Sequence, residues 1–424
     1  MKNLVSAFRQ VGPAIIVAAV VLGPGSITTS TKVGAAFGYE MLWLLLVLLV
    51  LLVGVASLAA WLGATLEKPL CRELSDRLGP WAGWVIGIAF FLIVAGFQSS
   101  NNTSVIAGLE PLVGGEFSNL AIILSLLVLN GLIIGLLWKA QNLYKQVENI
   151  MKVFILIVIL AFLANFFWAK PSVTGAFKGL MPNPAPFRES EHLLLIMGMI
   201  GTTFSVAGAF YQGYLVREKG WGPDEVKKGF RDSLFGMSVL VGVTAVIMMT
   251  AAATFHGSVG PGELGDAGAM SSQLQNTFGP AALWIFCLGF LAGALSSFLV
   301  NAMIGGHVFA DGSGAGSKLN SQASLIWTTI ALLVGMIVGI LTLTAGFDRT
   351  AIIIIAQAST VVGGPAVVAG LLFLGVQRYR TGPTRPPLWM LILTGIGLAL
   401  SIAVAISTTL KIIDKIRALS DAPA

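Results

Sequence analysis

The stretch Gly23-Pro24-Gly25-Ser26 interrupts the first long apolar segment, which runs from about Val11 to Trp43. A proline there removes a backbone donor and clashes with the preceding turn, while the flanking glycines free φ on either side. In hydrocarbon the released backbone groups cannot stay bare. Such a break is tolerated only where it is buried in protein or lines a cavity. Many secondary transporters build their substrate site from broken helices of this kind at the bilayer midplane. A kink needed only for packing is the competing reading, and the remaining sequence decides between them.

The chain has 424 residues, 56% of them hydrophobic and only 10% charged, with 50 glycines. Soluble domains carry about 25% charged residues, so this is a polytopic helical membrane protein, with runs of apolar residues recurring along its whole length. No stretch is polar and long enough for a separate soluble domain. Residues 1–424 read as one membrane domain. Met1 to Gln10 is polar, and the apolar run after it exceeds the core of a cleavable signal. Two cysteines, Cys71 in an apparent polar loop and Cys287 in an apolar segment, exclude a disulfide framework. The net charge of +6 arises from loop lysines and arginines and calls for no nucleic acid partner.

Eleven spans are expected, at about 12–36, 42–65, 81–108, 119–138, 147–168, 193–216, 230–254, 280–306, 324–344, 350–377 and 387–410. Loop Lys and Arg residues gather on the side that holds Lys2, Arg9, Lys68, Arg72, Arg77, Lys139 and Lys145. That bias puts the N-terminus in the cytoplasm. The tail residues Lys411, Lys415 and Arg417 fall on the opposite side by this count, against the rule.

About 180 residues after the first break, span six reads Gly201-Thr202-Thr203-Phe204-Ser205-Val206-Ala207-Gly208. Two glycines around a Thr/Ser cluster weaken a helix and offer hydroxyls to freed carbonyls. The chain then divides into a first repeat (about 11–168), a second repeat (about 193–377) and an extra helix (about 387–410). Each repeat opens with an interrupted helix, the pattern of an inverted-repeat transporter whose site lies between the breaks. Gly289, Gly293, Ser296, Ser297, Gly335 and Gly339 read as close helix packing, and Gly363-Gly364-Pro365 as a third kink.

Charged groups are scarce where a site is expected. Glu40, Glu67, Glu148, Glu191, Asp232, Asp311 and Asp348 fall near span ends, as do His192, His256 and His307. The pocket between the breaks offers Ser26, Thr29, Thr202, Thr203, Ser205, Gln212 and Gln357, all neutral. No acid–base pair or activated nucleophile appears inside the spans, which argues against an enzyme. No cofactor is called for. Gln98, Ser99, Ser100, Asn101 and Asn102 put five polar residues in a row inside span three. They read either as a hydrated path or as an interhelical hydrogen-bond patch. Lys32 lies nine residues after Pro24, close enough to the outer headgroups to snorkel. A fixed cation at an outer vestibule is the sharper alternative.

These residues resemble the Nramp family of metal-ion transporters, which share the LeuT-type architecture. The likeness rests on Gly12-Pro13, on Gly23-Pro24-Gly25-Ser26 where the family has Asp-Pro-Gly-Asn, on Gly38-Tyr39 and on Leu42-Trp43. Ala59 to Gly63, Asp232, Phe255-His256, Gly293 to Ser297 and Ala356-Gln357-Ala358 extend it over almost the whole chain. The implied fold is an all-α membrane protein, an inverted repeat of five plus five helices with an eleventh, helices one and six being discontinuous. The site departs from the family consistently. Gly23 and Ser26 stand for the family's Asp and Asn, and Ser205-Val206-Ala207 for its Met-Pro-His. Gln212 stands where many members carry a second His, and Gln98 and Asn101 replace two acidic residues linked to proton movement. The paired basic residues expected around Ser321 to Thr328 are missing, and only Gln357 survives among the metal ligands.

Substrate contacts are therefore expected at Gly23, Ser26, Thr202, Ser205, Ala207 and Gln357, with a secondary polar path at Gln98, Asn101 and Gln212. A metal would be held by Ser26, Gln357 and the backbone carbonyls of Gly23 and Thr202. The implied protein is a secondary transporter of a divalent cation that keeps much of its water, such as Mg²⁺, without proton coupling. Such an ion sheds water reluctantly and is served by neutral oxygens. A carrier of a small neutral or zwitterionic solute is the first alternative, and a transporter-like sensor the second. The partners are a small ion or solute and the lipid bilayer, in a prokaryotic inner membrane. The oligomeric state is not legible.

Overall fold

The computed structural model describes the backbone of residues 12–140, 142–188, 190–264, 267–345 and 349–420. It describes the side chains of all these except 190–192, 272–273, 276–278, 349–362 and 412–420. Regular structure among the described residues is entirely helical. The first span is α1 (Ala14–Val21) and α2 (Pro24–Phe37), bent by 59° at their junction. It is followed by α3 (Leu42–Thr65), a short α4 (Leu70–Leu78), α5 (Pro80–Val113), α6 (Asn119–Lys139) and α7 (Leu143–Ala169). After the short α8 (Val173–Gly179) come α9 (Ser190–Thr203) and α10 (Val206–Glu218), then α11 (Val226–Thr254) and α12 (Ala267–Phe278). The last four are α13 (Pro280–Gly312), α14 (Gln322–Thr344), α15 (Arg349–Thr381) and α16 (Leu388–Ser420).

Among the described residues nine helices are long and apolar enough to cross a bilayer, and the bent pair makes a tenth. α15, with 33 residues, takes the place of the remaining expected span. Helices of 33 or 34 residues, such as α5 and α13, are about 50 Å long at 1.5 Å per residue. That exceeds a hydrocarbon core of about 30 Å, so they tilt or project beyond it. Exposed leucines run along α6 at Leu120, Leu124, Leu127 and Leu132, the pattern of a lipid-facing helix. Exposed Trp81, Trp84, Trp138, Trp168, Trp284 and Trp389 sit near span ends, where indole rings favour the membrane interface.

α15 is continuous in helical structure through Pro365. α13 is the central post, packed against α5, α14 and α7 and touching α1 and α2. Gly289, Gly335 and Gly339, read as packing, behave as such. A Cβ on Gly339 would meet the Cβ of Asn102 at 2.7 Å, and one on Gly289 would meet Ala161 at 2.7 Å.

Two readings change. Lys32 does not snorkel: it is 7% exposed and engaged within the fold. Every residue of α2 except Ala36 is buried, so the helix offers no route along its surface to water. Cys71 lies not in a loop but in α4, fully buried, its N–H donating to Tyr214 Oη at 3.2 Å. Burial, and then the Asp311 carboxylate, push its thiol well above the ordinary range against the opposing hydrogen bond from Tyr214. A thiol so placed is a poor nucleophile. Maleimide labelling of the native protein at pH 8 is expected to leave Cys71 unmodified over hours, and to modify it within minutes after denaturation. Mass spectrometry of the digested protein reads the difference.

Candidate substrate site

The first break follows from chemistry at three positions. Pro24 has no N–H to return to Val20, so α1 stops at Val21. Gly23 is extended (φ −80°, ψ −178°), and α2 restarts with Pro24 at its first position, where a missing N–H costs nothing. On the other side Phe204 N–H closes the last turn of α9 on Ile200 O at 2.7 Å. Ser205 then leaves the helical region (φ −72°, ψ 86°), and its Oγ accepts from Gly208 N–H at 3.4 Å to start α10. The interruption is thus confined to Phe204 and Ser205, inside the window expected from Gly201 to Gly208.

Both breaks open onto one cavity. It is lined by Gly23, Gly25 and Ser26 from the first, Thr202, Ser205, Ala207 and Gly208 from the second, and Ser297 and Asn301 from α13. Val20, Val21, Ile93, Val94, Phe97 and Ile304 complete the wall. It leaves about 20 Å³ for the centre of a water-sized sphere, room for one or two waters. Two helix N-termini (α2 and α10) and two C-termini (α1 and α9) converge here. Their partial charges oppose one another. Thr29 Oγ1 and Thr202 Oγ1 lie 3.3 Å apart and join α2 to α9 beside the cavity. Ser26 Oγ is buried without a protein partner. No Asp, Glu, Lys, Arg or His is among the described residues lining the cavity. No group of three or more His, Cys, Asp or Glu able to hold a metal occurs among the described residues.

Five of the six expected contacts, Gly23, Ser26, Thr202, Ser205 and Ala207, share this wall. The Gln357 side chain lies outside the described residues. The other three named residues are elsewhere. Gln98 Nε2 donates to Phe298 O at 2.7 Å, and Asn101 Nδ2 to Gln98 Oε1 at 2.9 Å. Asn102 Oδ1 accepts from Asn130 Nδ2 at 2.9 Å. This is a joint between α5, α13 and α6, with Gly335 of α14 packed on Gln98. Gln212 Nε2 donates to Asp232 Oδ2 at 3.1 Å. The same carboxylate accepts from Gly12 N–H and Ala14 N–H, both at 2.8 Å, and so caps the start of α1. Asp311, another buried acid, accepts from Tyr214 Oη at 2.6 Å. Ser297 and Asn301 were not singled out as contacts. The available signal was an amide one turn beyond a serine in an otherwise apolar run.

An all-helical membrane protein with two interrupted helices facing one central cavity has the architecture of a broken-helix carrier. The Nramp description, "Natural resistance-associated macrophage protein-like", matches residues 14–411. A protein of Erwinia tasmaniensis named divalent metal cation transporter MntH is 27% identical over 310 residues, covering 70% of this chain and 71% of that protein. The Mycobacterium tuberculosis protein of the same name is 25% identical over 389 residues, covering 88% and 84%. Among solved structures, a manganese transporter from Eremococcus coleocola superposes with a TM-score of 0.77 at 17% identity, over 98% of this chain and 89% of that one. MhsT in complex with L-phenylalanine superposes at 0.60 with 15% identity, over 93% and 98%. The chain belongs to the Nramp family, and its fold is the LeuT-type inverted repeat of five plus five helices with an eleventh, helices one and six being discontinuous.

Proposed function

We propose that this chain is a secondary transporter working by alternating access, with its substrate held between Gly23–Ser26 and Thr202–Gly208. The substrate is an inorganic divalent cation that keeps much of its water, Mg²⁺ being the type case, and its movement is not coupled to protons. The observation that carries this reading is the convergence of both helix breaks on one cavity whose polar groups, among the described residues, are all neutral oxygens or amides. A dehydrated transition metal calls for imidazole, thiolate, thioether or carboxylate, and Mg²⁺ is the ion that most resists losing its water. The relatives' names place divalent metal cations in the family's range. Proton transfer through a membrane interior generally uses titratable side chains, and Gln98 and Asn101 offer none. The cavity is too small for a hydrated ion as it stands, so loading requires the two breaks to move apart. Gln357 is assigned to the third side of the loaded site, the N-terminus to the cytoplasm and the protein to a prokaryotic inner membrane.

The test is uptake in proteoliposomes with internal Mg²⁺, Mn²⁺ and pH dyes. Saturable Mg²⁺ entry with no change in internal pH is expected, and Mn²⁺ entry at least tenfold less efficient. Ser26→Ala is expected to lower Mg²⁺ uptake efficiency about tenfold, near the value of one hydrogen bond. Efficient Mn²⁺ uptake accompanied by proton entry would overturn the reading.

One observation favours a second solute class. An apolar cavity lined by Phe204, Val206, Leu400 and Val404 adjoins the first and shares Ile93, Phe97, Ser205 and Ala207 with it. A small zwitterionic solute would place a polar head in one compartment and an apolar side chain in the other. Amino-acid uptake in the same vesicles, with Mg²⁺ excluded, distinguishes it.

A further inference from the structure

Gly23 faces α13 at close quarters. A Cβ built there would lie 2.6 Å from Ser297 Oγ and 2.7 Å from Ser297 Cβ, closer than real side chains approach. Ser297 therefore fills the volume that any side chain at position 23 would need. One turn further along α13, Asn301 Nδ2 donates to Ser297 Oγ at 2.9 Å. That bond fixes the amide with its Oδ1 left over, and among the described residues no group donates to this oxygen. Asn301 is only 7% exposed, and it lines the cavity. Ser26 Oγ, also without a protein partner, lines the same cavity from α2.

We infer that Ser297 and Asn301 of α13 are substrate-contacting, specificity-determining residues, working as one unit with Gly23. Asn301 Oδ1 and the Ser297 hydroxyl accept hydrogen bonds from the water shell of the cation. Ser297 also holds position 23 free of a side chain, and so keeps a carboxylate out of the cavity. The site takes a hydrated divalent cation because the polar groups on this side are an amide and a hydroxyl, which bind water better than they replace it. The contact half of this inference rests on the cavity being the substrate site. The steric half stands on the geometry alone.

The experiment has two arms. In the first, Asn301→Ala is expected to raise the KM for Mg²⁺ at least tenfold with kcat within twofold, while Asn301→Asp shifts the Mn²⁺/Mg²⁺ uptake ratio at least tenfold toward Mn²⁺. An amide serving only to hold α13 together would instead lower kcat and the unfolding temperature with KM unchanged, and that result would overturn the contact. In the second arm, thermal unfolding in detergent is measured for Gly23→Asp alone, with Ser297→Ala and with Ser297→Gly. Gly23→Asp is expected to lower the unfolding temperature. Ser297→Gly restores it, and Ser297→Ala does not, because its Cβ still lies in the way. Equal rescue by both, or by neither, would overturn the steric pairing. If the wild-type protein moves no divalent cation, the proposed function and the contact fall together, and the unfolding arm still tests the pairing.

Discussion

Asp232→Ala is expected to reduce uptake at least thirtyfold and to lower the unfolding temperature by several degrees. The carboxylate accepts two backbone N–H groups at the start of α1 and the Gln212 amide, all within 3.1 Å. Removing it leaves three buried donors bare at a helix N-terminus that is enclosed by protein. A lost N-cap costs about 0.5–2 kcal/mol, and hydrogen bonds to a charged group contribute about 1.5–3 kcal/mol each. These terms overlap, and about 3–4 kcal/mol is the expected total. Asp232→Asn keeps one acceptor and turns a donor toward the second N–H, so it recovers only part of the loss. Fluorescence-detected unfolding in detergent, run beside vesicle uptake, measures both consequences. Unfolding and uptake at wild-type levels in the alanine variant would show that another group caps α1.

Gly63→Val is expected to prevent recovery of folded protein, and Gly63→Ala to lower the unfolding temperature markedly. At this point α3 and α10 meet backbone to backbone. A Cβ on Gly63 would lie 2.7 Å from Gly213 Cα, and one on Gly213 would lie 2.8 Å from Ala59 O. Overpacking ordinarily costs about 1–3 kcal/mol. The obstructing atoms here are main chain, which cannot rotate aside, so the upper end or beyond is expected. Close backbone approach of this sort is how small residues bring membrane helices together. Gly131→Ala is the matched control. Its Cβ would meet nothing within 4 Å, and alanine is the better helix former by about 1 kcal/mol. It is expected to unfold no lower than wild type. Size-exclusion profiles and unfolding curves of the three variants, prepared side by side, decide the matter.

Legibility in the sequence tracked how local the cause was. The first break was readable because Pro24 cannot donate to Val20, whatever surrounds it. The second was readable to a few residues only, because two glycines and a Thr/Ser cluster weaken a helix over a window. Which turn gives way depended on Ser205 capping Gly208. The cap on α1 was not readable at all, since Asp232 is 220 residues from Gly12 and no local rule links them. Asn301 was missed for a related reason. One amide in an apolar run is equally consistent with packing, and the rotation of α13 that turns it toward Gly23 is set by helices distant in sequence. Span three left two readings open, a hydrated path and a hydrogen-bond patch between helices. Its five adjacent polar residues stood out, and Gln98 and Asn102 join helices as the second reading has it.

The Thr29–Thr202 contact acquires its meaning from what lies at the other end of the broken helices. There, three hydrogen bonds to one carboxylate bind α1, α10 and α11 into a single arm. Here, beside the cavity, α2 packs on α9 with two neutral hydroxyls 3.3 Å apart at the contact, each also placed to donate to a carbonyl of its own helix. A substitution at Asp232 therefore disturbs main-chain donors at the start of α1, whereas one at Thr29 or Thr202 disturbs a contact between neutral side chains.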